Sequence, residues 1–372
     1  MGCYAHDLHR DTAFLLSAAL ISKAWSRPAQ TLLFRHVSIR SQKTFKALFN
    51  VIYSDATLGK RLAQHVRSLS AVLDPQQPGR LHEVSFAYAV SLFPNLSELE
   101  ITFYPTPKPC PSSEREGDFP SRSALEDKAL SILRSGPCIT SLRLANWSSD
   151  TSLLGKFLSL YHRTLRTLSL HGTPTSFYLP RSSPFFSAPL SPLDLTLEPS
   201  LAAAPALADW LANPGTGPPV RALEFTRQPE PAVLAAMLAT HGASLTALAL
   251  PTLTIADAAR IAAHGCPRLE ALRTEHPYAT LPPRPLCARL RFVALAASPA
   301  LALVREEARN RGRLQSISVI LWCDGAEELE TVRVLKALCA PLGIRAEFER
   351  DVVAFRARFR IGRLYDSDRV VC

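Results

Sequence analysis

From residue 96 onward the chain returns to one arrangement of apolar positions, an aliphatic residue followed by two more at +3 and +5. It reads LSELEI (96–101), ITSLRL (139–144), LRTLSL (165–170), LSPLDL (190–195) and VRALEF (220–225), then LTALAL (245–250), LEALRT (269–274), LRFVAL (290–295) and LQSISV (314–319). Successive starts lie 43, 26, 25, 30, 25, 24, 21 and 24 residues apart. The long interval holds a Pro/Ser-rich insertion, YPTPKPCPSSEREGDFPSR (104–122), and without its 19 residues it closes to 24. That insertion has little to bury and is expected to be disordered and cut first by proteases. A weaker copy, VRSLSA, stands at 66–71.

Alternation with period two predicts half-buried strands. Between them, 124–135, 152–163, 231–242, 254–265 and 326–340 space apolar residues at three and four, which predicts helices. The unit is strand, turn, helix, return. Parallel strands need such crossovers, and units of this kind bury their apolar edges only by stacking on neighbours. A period of 20–29 residues carrying L-x-x-L-x-L is that of leucine-rich repeats. GCPRL (265–269) and LCARL (286–290) add a cysteine three residues before the first leucine, with GPCI (136–139) near the same offset. The chain therefore resembles the cysteine-containing leucine-rich repeats common in F-box proteins, over about 66–350. Thr274 stands where a third aliphatic residue belongs, and most units lack the turn asparagine.

The first forty residues follow another pattern. Phe14, Ala18, Ile21 and Trp25 step by four, three and four, one helical face, while Leu15, Leu16 and Leu20 widen it. Ser26 and Pro28 suit the cap and first turn of a second helix whose face carries Ala29, Leu32, Leu33 and His36. Two short helices cannot bury this much apolar surface between themselves, so a partner surface is expected. LLSAALISKAWSRPAQTLLFRHV (15–37) resembles the second half of a fungal F-box; of that motif's opening Leu-Pro pair and amphipathic first helix there is no match, only AHDLHRD (5–11).

The predicted architecture is α/β: a leucine-rich-repeat solenoid with parallel strands on the concave face and helices on the convex face, behind a short all-α partial F-box. The expected divisions are 1–40 for the F-box-like helices, 41–65 for a helical linker, 66–350 for the solenoid and 351–372 for a C-terminal capping strand and tail. In GIRAEFERDVVAFRARFRIG (343–362) two runs alternate apolar and polar around Arg350 and Asp351, which predicts a hairpin closing the core, with Glu347 and Glu349 opposite arginines. The competing reading is that Arg356, Arg358 and Arg360 form a basic stripe for an acidic partner.

Charge and composition alter this picture little. Of the net +10, residues 1–70 carry +7 and the remaining 302 carry +3. Sparse aromatics among those basic residues argue against nucleic acid. The apolar run 13–21 is broken by Lys23 and Arg27 too soon for a membrane span, and Asp7 and Asp11 spoil a signal-peptide leader. His6 stands where an acylated Met-Gly-Cys start would need Ser or Thr. Eight scattered cysteines without a CxxC pair suggest a reducing compartment, so the cytoplasm or nucleus is expected. Proline at 30 against glycine at 15 suggests rigid, extended loops.

No nucleophile elbow, P-loop or dinucleotide fingerprint occurs, so no catalytic residue and no cofactor is assigned. His264, Cys266, His276 and Cys287 fit no zinc spacing, and no metal is assigned. Acidic pairs such as Glu98/Glu100 and Glu306/Glu307 read as solvated faces, and the PxxP-like runs at 105–111 and 282–285 as loops. On the outward strand positions, Glu98, Glu100, Arg143, His171, Asp194, Glu224, Arg273 and Glu275 are the candidate target-binding residues. From Ala247 to Ile320 that face is small and apolar, which suits a protein ligand.

The F-box resemblance implies a substrate-recognition subunit of an SCF-type ubiquitin ligase. Leu15, Leu16, Leu20, Trp25 and Leu33 would dock a Skp-type adaptor and, through it, the cullin complex, while the repeats hold a target protein. It implies a non-enzymatic role. The alternative is a leucine-rich-repeat interaction scaffold without ligase coupling.

Overall fold

The computed structural model describes residues 4–54, 56–105, 125–172, 193–197, 220–263, 266–276, 290–310, 314–322, 326–352, 354–356 and 359. They belong to two compact units, Met1–Leu193 with Ser200–Pro218, and Asp194–Pro199 with Pro219–Cys372. Most of the insertion expected at 104–122, and two of the zinc candidates, His264 and Cys287, fall outside the described residues.

The first unit opens with α1 (Tyr4–Ile21) and α2 (Lys23–Leu33), followed by β1 (His36–Ile39), α3 (Gln42–Ser54) and α4 (Ala56–His65). Next come β2 (Ser68–Leu73), α5 (Glu83–Ser91), β3 (Glu98–Phe103), α6 (Asp127–Arg134), β4 (Ser141–Asn146), α7 (Leu153–Tyr161) and β5 (Thr167–Gly172). The five strands pair in parallel and in chain order. Crossovers between parallel strands are right-handed, so an unbroken order places the crossover helices α3 to α7 on the same face. The second aliphatic of each repeat forms one row in register, Leu69, Leu99, Leu142 and Leu168, each at most 1% exposed. Residues between them are half-buried in β2 and β4, so the other face of this sheet is open.

The hydrogen bonds repeat as the sequence does. The carbonyl of Ser97 accepts from Thr140 and Ser141, and that of Thr140 from Arg166 and Thr167, at 2.8 to 3.0 Å. In the second unit the Thr246, Glu270 and Arg291 carbonyls do the same for the next strand. One carbonyl at each strand entrance thus fastens the neighbouring repeat.

The second unit holds β6 (Leu193–Leu197), β7 (Val220–Phe225), α8 (Pro231–His241), β8 (Ala247–Leu250), α9 (Ile255–Ala263) and β9 (Ala271–Thr274). It continues through β10 (Phe292–Ala296), α10 (Ala297–Asn310), β11 (Ser316–Ile320), α11 (Ala326–Leu342) and β12 (Arg345–Glu349). From β7 to β12 neighbouring strands are parallel, and Leu223, Leu248, Leu272, Val293, Ile317 and Ala346 form its row. Each recurring motif named above contributes a strand. The result is an α/β architecture of parallel strand–helix repeats, compatible with a solenoid.

Four local expectations are corrected. First, the opening helix does not run through Trp25. Ser22 leaves it in extended backbone (φ −158°, ψ 160°), and its hydroxyl accepts the Trp25 N–H at 3.4 Å, so Ser22 rather than Ser26 caps α2. Second, Pro28 lies inside α2 instead of in its first turn, and His36 belongs to β1. Third, β1 adds a strand before the first recognisable repeat. Fourth, the C-terminal hairpin does not form. β12 pairs parallel with β11, and beyond it Val352, residues 354–356 and Phe359 are helical. Glu349 turns inward on the junction, its Oε1 accepting the Arg350 N–H at 3.0 Å and the Asp351 N–H at 3.4 Å.

Candidate functional site

Three surfaces carry the residues singled out from the sequence. The first lies on α1 and α2. Ala18 and Ala29 are buried, and small side chains there let helices approach closely. What remains points outward: Phe14 is 67% exposed, Leu16 53%, Leu20 87% and Trp25 59%. Leu15 and Leu33 are half-buried. With Ile21 and Leu32, six large apolar side chains on two consecutive helices are left uncovered among the described residues.

The second surface is the open sheet face of the first unit. Glu100 and Arg143 stand directly opposite each other in the β3–β4 register, and their side chains meet at 3.4 Å, both more than 40% exposed. An exposed pair of this kind contributes at most about 1 kcal/mol and is free to exchange partners. Glu98 is exposed one pair earlier, and His171 on β5 contacts Ser169 Oγ at 3.0 Å.

The third is the corresponding face of the second unit, and across β8 and β9 it is closed. β8 and β9 are buried at every position, on both sides of the sheet. Ala222, Ala247, Ala249, Ala271, Ala294 and Ala296 line a trough, and Phe355 and Phe359 of the C-terminal segment fill it, with 0% and 6% exposure. Glu224, Arg273 and Glu275 lie beneath this cover. Arg273 Nη2 donates to Glu224 Oε1 at 2.9 Å, and its Nε lies 3.4 Å from Glu275 Oε1. From above, Arg356 donates through Nε and Nη2 to both Glu275 oxygens, at 2.7 and 2.6 Å. Arg356 thus meets Glu275, an acid outside the hairpin expected from the sequence; Arg358 and Arg360 lie outside the described residues. The Arg273 guanidinium lies 5.6 Å from the Phe359 ring centre. Burial lowers the pKa of Arg273, against the raising effect of the Glu224 and Glu275 charges. Asp194 sits apart, paired with Arg221 at 3.1 and 3.2 Å.

A cavity of about 360 Å³ opens at the carboxyl ends of β2, β3 and β4, where Asp74, Arg80, His82, Glu83, Glu126 and Asp150 contribute to its walls. Two of its carboxylates fasten their own loops: Asp74 accepts the Gln76 N–H and Asp150 the Ser152 N–H, each at 2.9 Å. Among the described residues no group of three or more His, Cys, Asp or Glu is placed to hold a metal ion, and no helix is long and apolar enough to cross a membrane.

The sequence pattern identified the apolar trough but not its occupant. It also missed Asn146, a buried turn asparagine whose Oδ1 accepts from Ser148 N and Oγ at 3.0 and 2.7 Å. Its signal was present, two residues past the third aliphatic of ITSLRL, in the one place where such a turn is easily read.

No family model matches the chain, and no curated protein matches it significantly.

Proposed function

We propose that the protein is a substrate-recognition subunit of an SCF-type ubiquitin ligase, with α1 and α2 holding a Skp-type adaptor and the leucine-rich repeats holding a target. The observation that carries this reading is the exposure of Leu16, Leu20 and Trp25 on two consecutive helices that resemble the second half of an F-box. Soluble helices present such side chains at a cost unless another surface covers them. The role is non-catalytic: holding a target near the charged ubiquitin carrier raises the effective concentration of its lysines. A reducing compartment, cytoplasm or nucleus, suits such a complex.

The test is co-purification with a Skp-type adaptor from cells expressing the tagged chain. Trp25→Ala should weaken recovery by about 30-fold, the equivalent of about 2 kcal/mol for a buried interface aromatic. Equal recovery with wild type and variant would overturn the assignment of Trp25. Absence of adaptor with either chain would favour the scaffold without ligase coupling.

A further inference from the structure

The second unit spends its most polar and its most apolar strand positions on holding its own C-terminal segment. Alanines occupy the trough where larger side chains would fill the space themselves, so a helix can lie directly on the sheet. Val352, Phe355 and Phe359 are spaced by three and four, one face of a helical turn, and pack on those alanines. Arg356 adds a bidentate, directional contact to Glu275, the kind of pair that sets register and polarity.

Two features distinguish this contact from an optimised core. Arg273 is 0% exposed, yet its Nη1 has no hydrogen-bond partner, and its Nε keeps only the 3.4 Å ionic contact with Glu275. Closing the segment over it therefore leaves one guanidinium donor stranded and a second poorly satisfied, where water would serve both in the open state. The segment also hangs from β12 through only Arg350 and Asp351, a short tether that keeps its effective concentration high, on the order of millimolar.

We propose that this trough is a helix-binding groove, that the C-terminal segment occupies it in cis as an autoinhibitory ligand, and that its trans ligand is an amphipathic helix of a partner protein. The ligand chemistry is that of the cis segment: two aromatic side chains four residues apart, with an arginine directly after the first. Such a helix competes for the trough and for Glu275, and the unsatisfied Nη1 of Arg273 lowers the cost of displacing the cis segment. The inference rests on the target-binding half of the function proposed above and is independent of the adaptor half.

The test uses the full chain and a fluorescein-labelled peptide of residues 350–362, RDVVAFRARFRIG, followed by fluorescence anisotropy. The Phe355→Ala/Phe359→Ala chain keeps every groove residue and loses the cis anchors; it should bind the peptide at least ten-fold more tightly than wild type. A peptide carrying the same two substitutions, or Arg356→Glu, should lose at least ten-fold toward the open chain, and a scrambled peptide should not bind. Equal, weak binding by both chains would overturn the proposal. So would loss of cooperative melting in the variant, which would make the segment an integral part of the core. Wild type supplies an independent readout: amide exchange at 352–359 should be at least ten-fold faster than in β8 and β9, and equal protection would overturn the opening. Adaptor recovery, measured in parallel, should be the same for both chains; its failure bears on the ligase reading and leaves the groove untouched.

Discussion

At the residue scale, two buried groups have measurable consequences. Cys266 is 2% exposed, and burial pushes its thiol from an ordinary 9.0 up to about 11. Between those values the unfolded chain releases a proton that the folded chain retains. Stability contributed by the neutral thiol is therefore complete below pH 9 and is lost as pH rises toward 11. Cys266→Ala should flatten the fall in urea midpoint over that window relative to wild type. Alkylation followed by peptide mapping adds a second readout at neutral pH: exposed Cys138 should react in the native protein, and Cys266 and Cys339 only after unfolding. The other group is Arg273. Removing Glu224, its 2.9 Å partner, would leave part of a buried charge uncompensated. Glu224→Ala should cost about 3 kcal/mol in urea unfolding, whereas Arg143→Ala on the open face should cost under about 1 kcal/mol.

Among the elements, β4 and β5 show how closely the repeats are fitted. Asn146 and Gly172 close their register, and Gly172 has φ +135°, a conformation that L side chains rarely adopt. A Cβ there would stand 2.0 Å from the Asn146 carbonyl oxygen, which is backbone and cannot swing away. Gly172→Ala should destabilise by about 1–3 kcal/mol and raise amide exchange in β5 before β2. The α1–α2 corner is set by chemistry of the same local kind. Ser22 offers an oxygen to the Trp25 N–H and so ends one helix and starts another.

For the whole molecule, the two-unit organisation and the row-by-row stacking within each unit make the ends separable from the middle. α1 packs chiefly on α2, and α2 reaches α4. A chain lacking residues 1–33 should keep its cooperative melting transition within a few degrees of the full chain's while losing adaptor capture. A collapse of the transition would make α1 and α2 part of the repeat core instead of a docking module.

How far all this was readable follows from the range of the interactions involved. Leucine spacing marked the strands from β2 to β11, because an aliphatic row at a constant period buries itself only against its neighbour: Leu69, Leu99, Leu142 and Leu168 line up as their motifs require. It also marked the exposed run from Phe14 to Trp25 and the alanine-lined face. The break at Ser22 was missed, since Ser22 and Ser26 are equally good caps until backbone conformation selects one. The tail is the clearest case. VVAFRARF satisfies a strand through Val353, Phe355, Ala357 and Phe359, and a helix through Val352, Phe355 and Phe359. Local pattern does not choose between them. The tertiary structure does, by placing an unfilled trough and the Glu275 carboxylate, 81 residues away in the chain, where a helical Phe355, Arg356 and Phe359 all find partners at once.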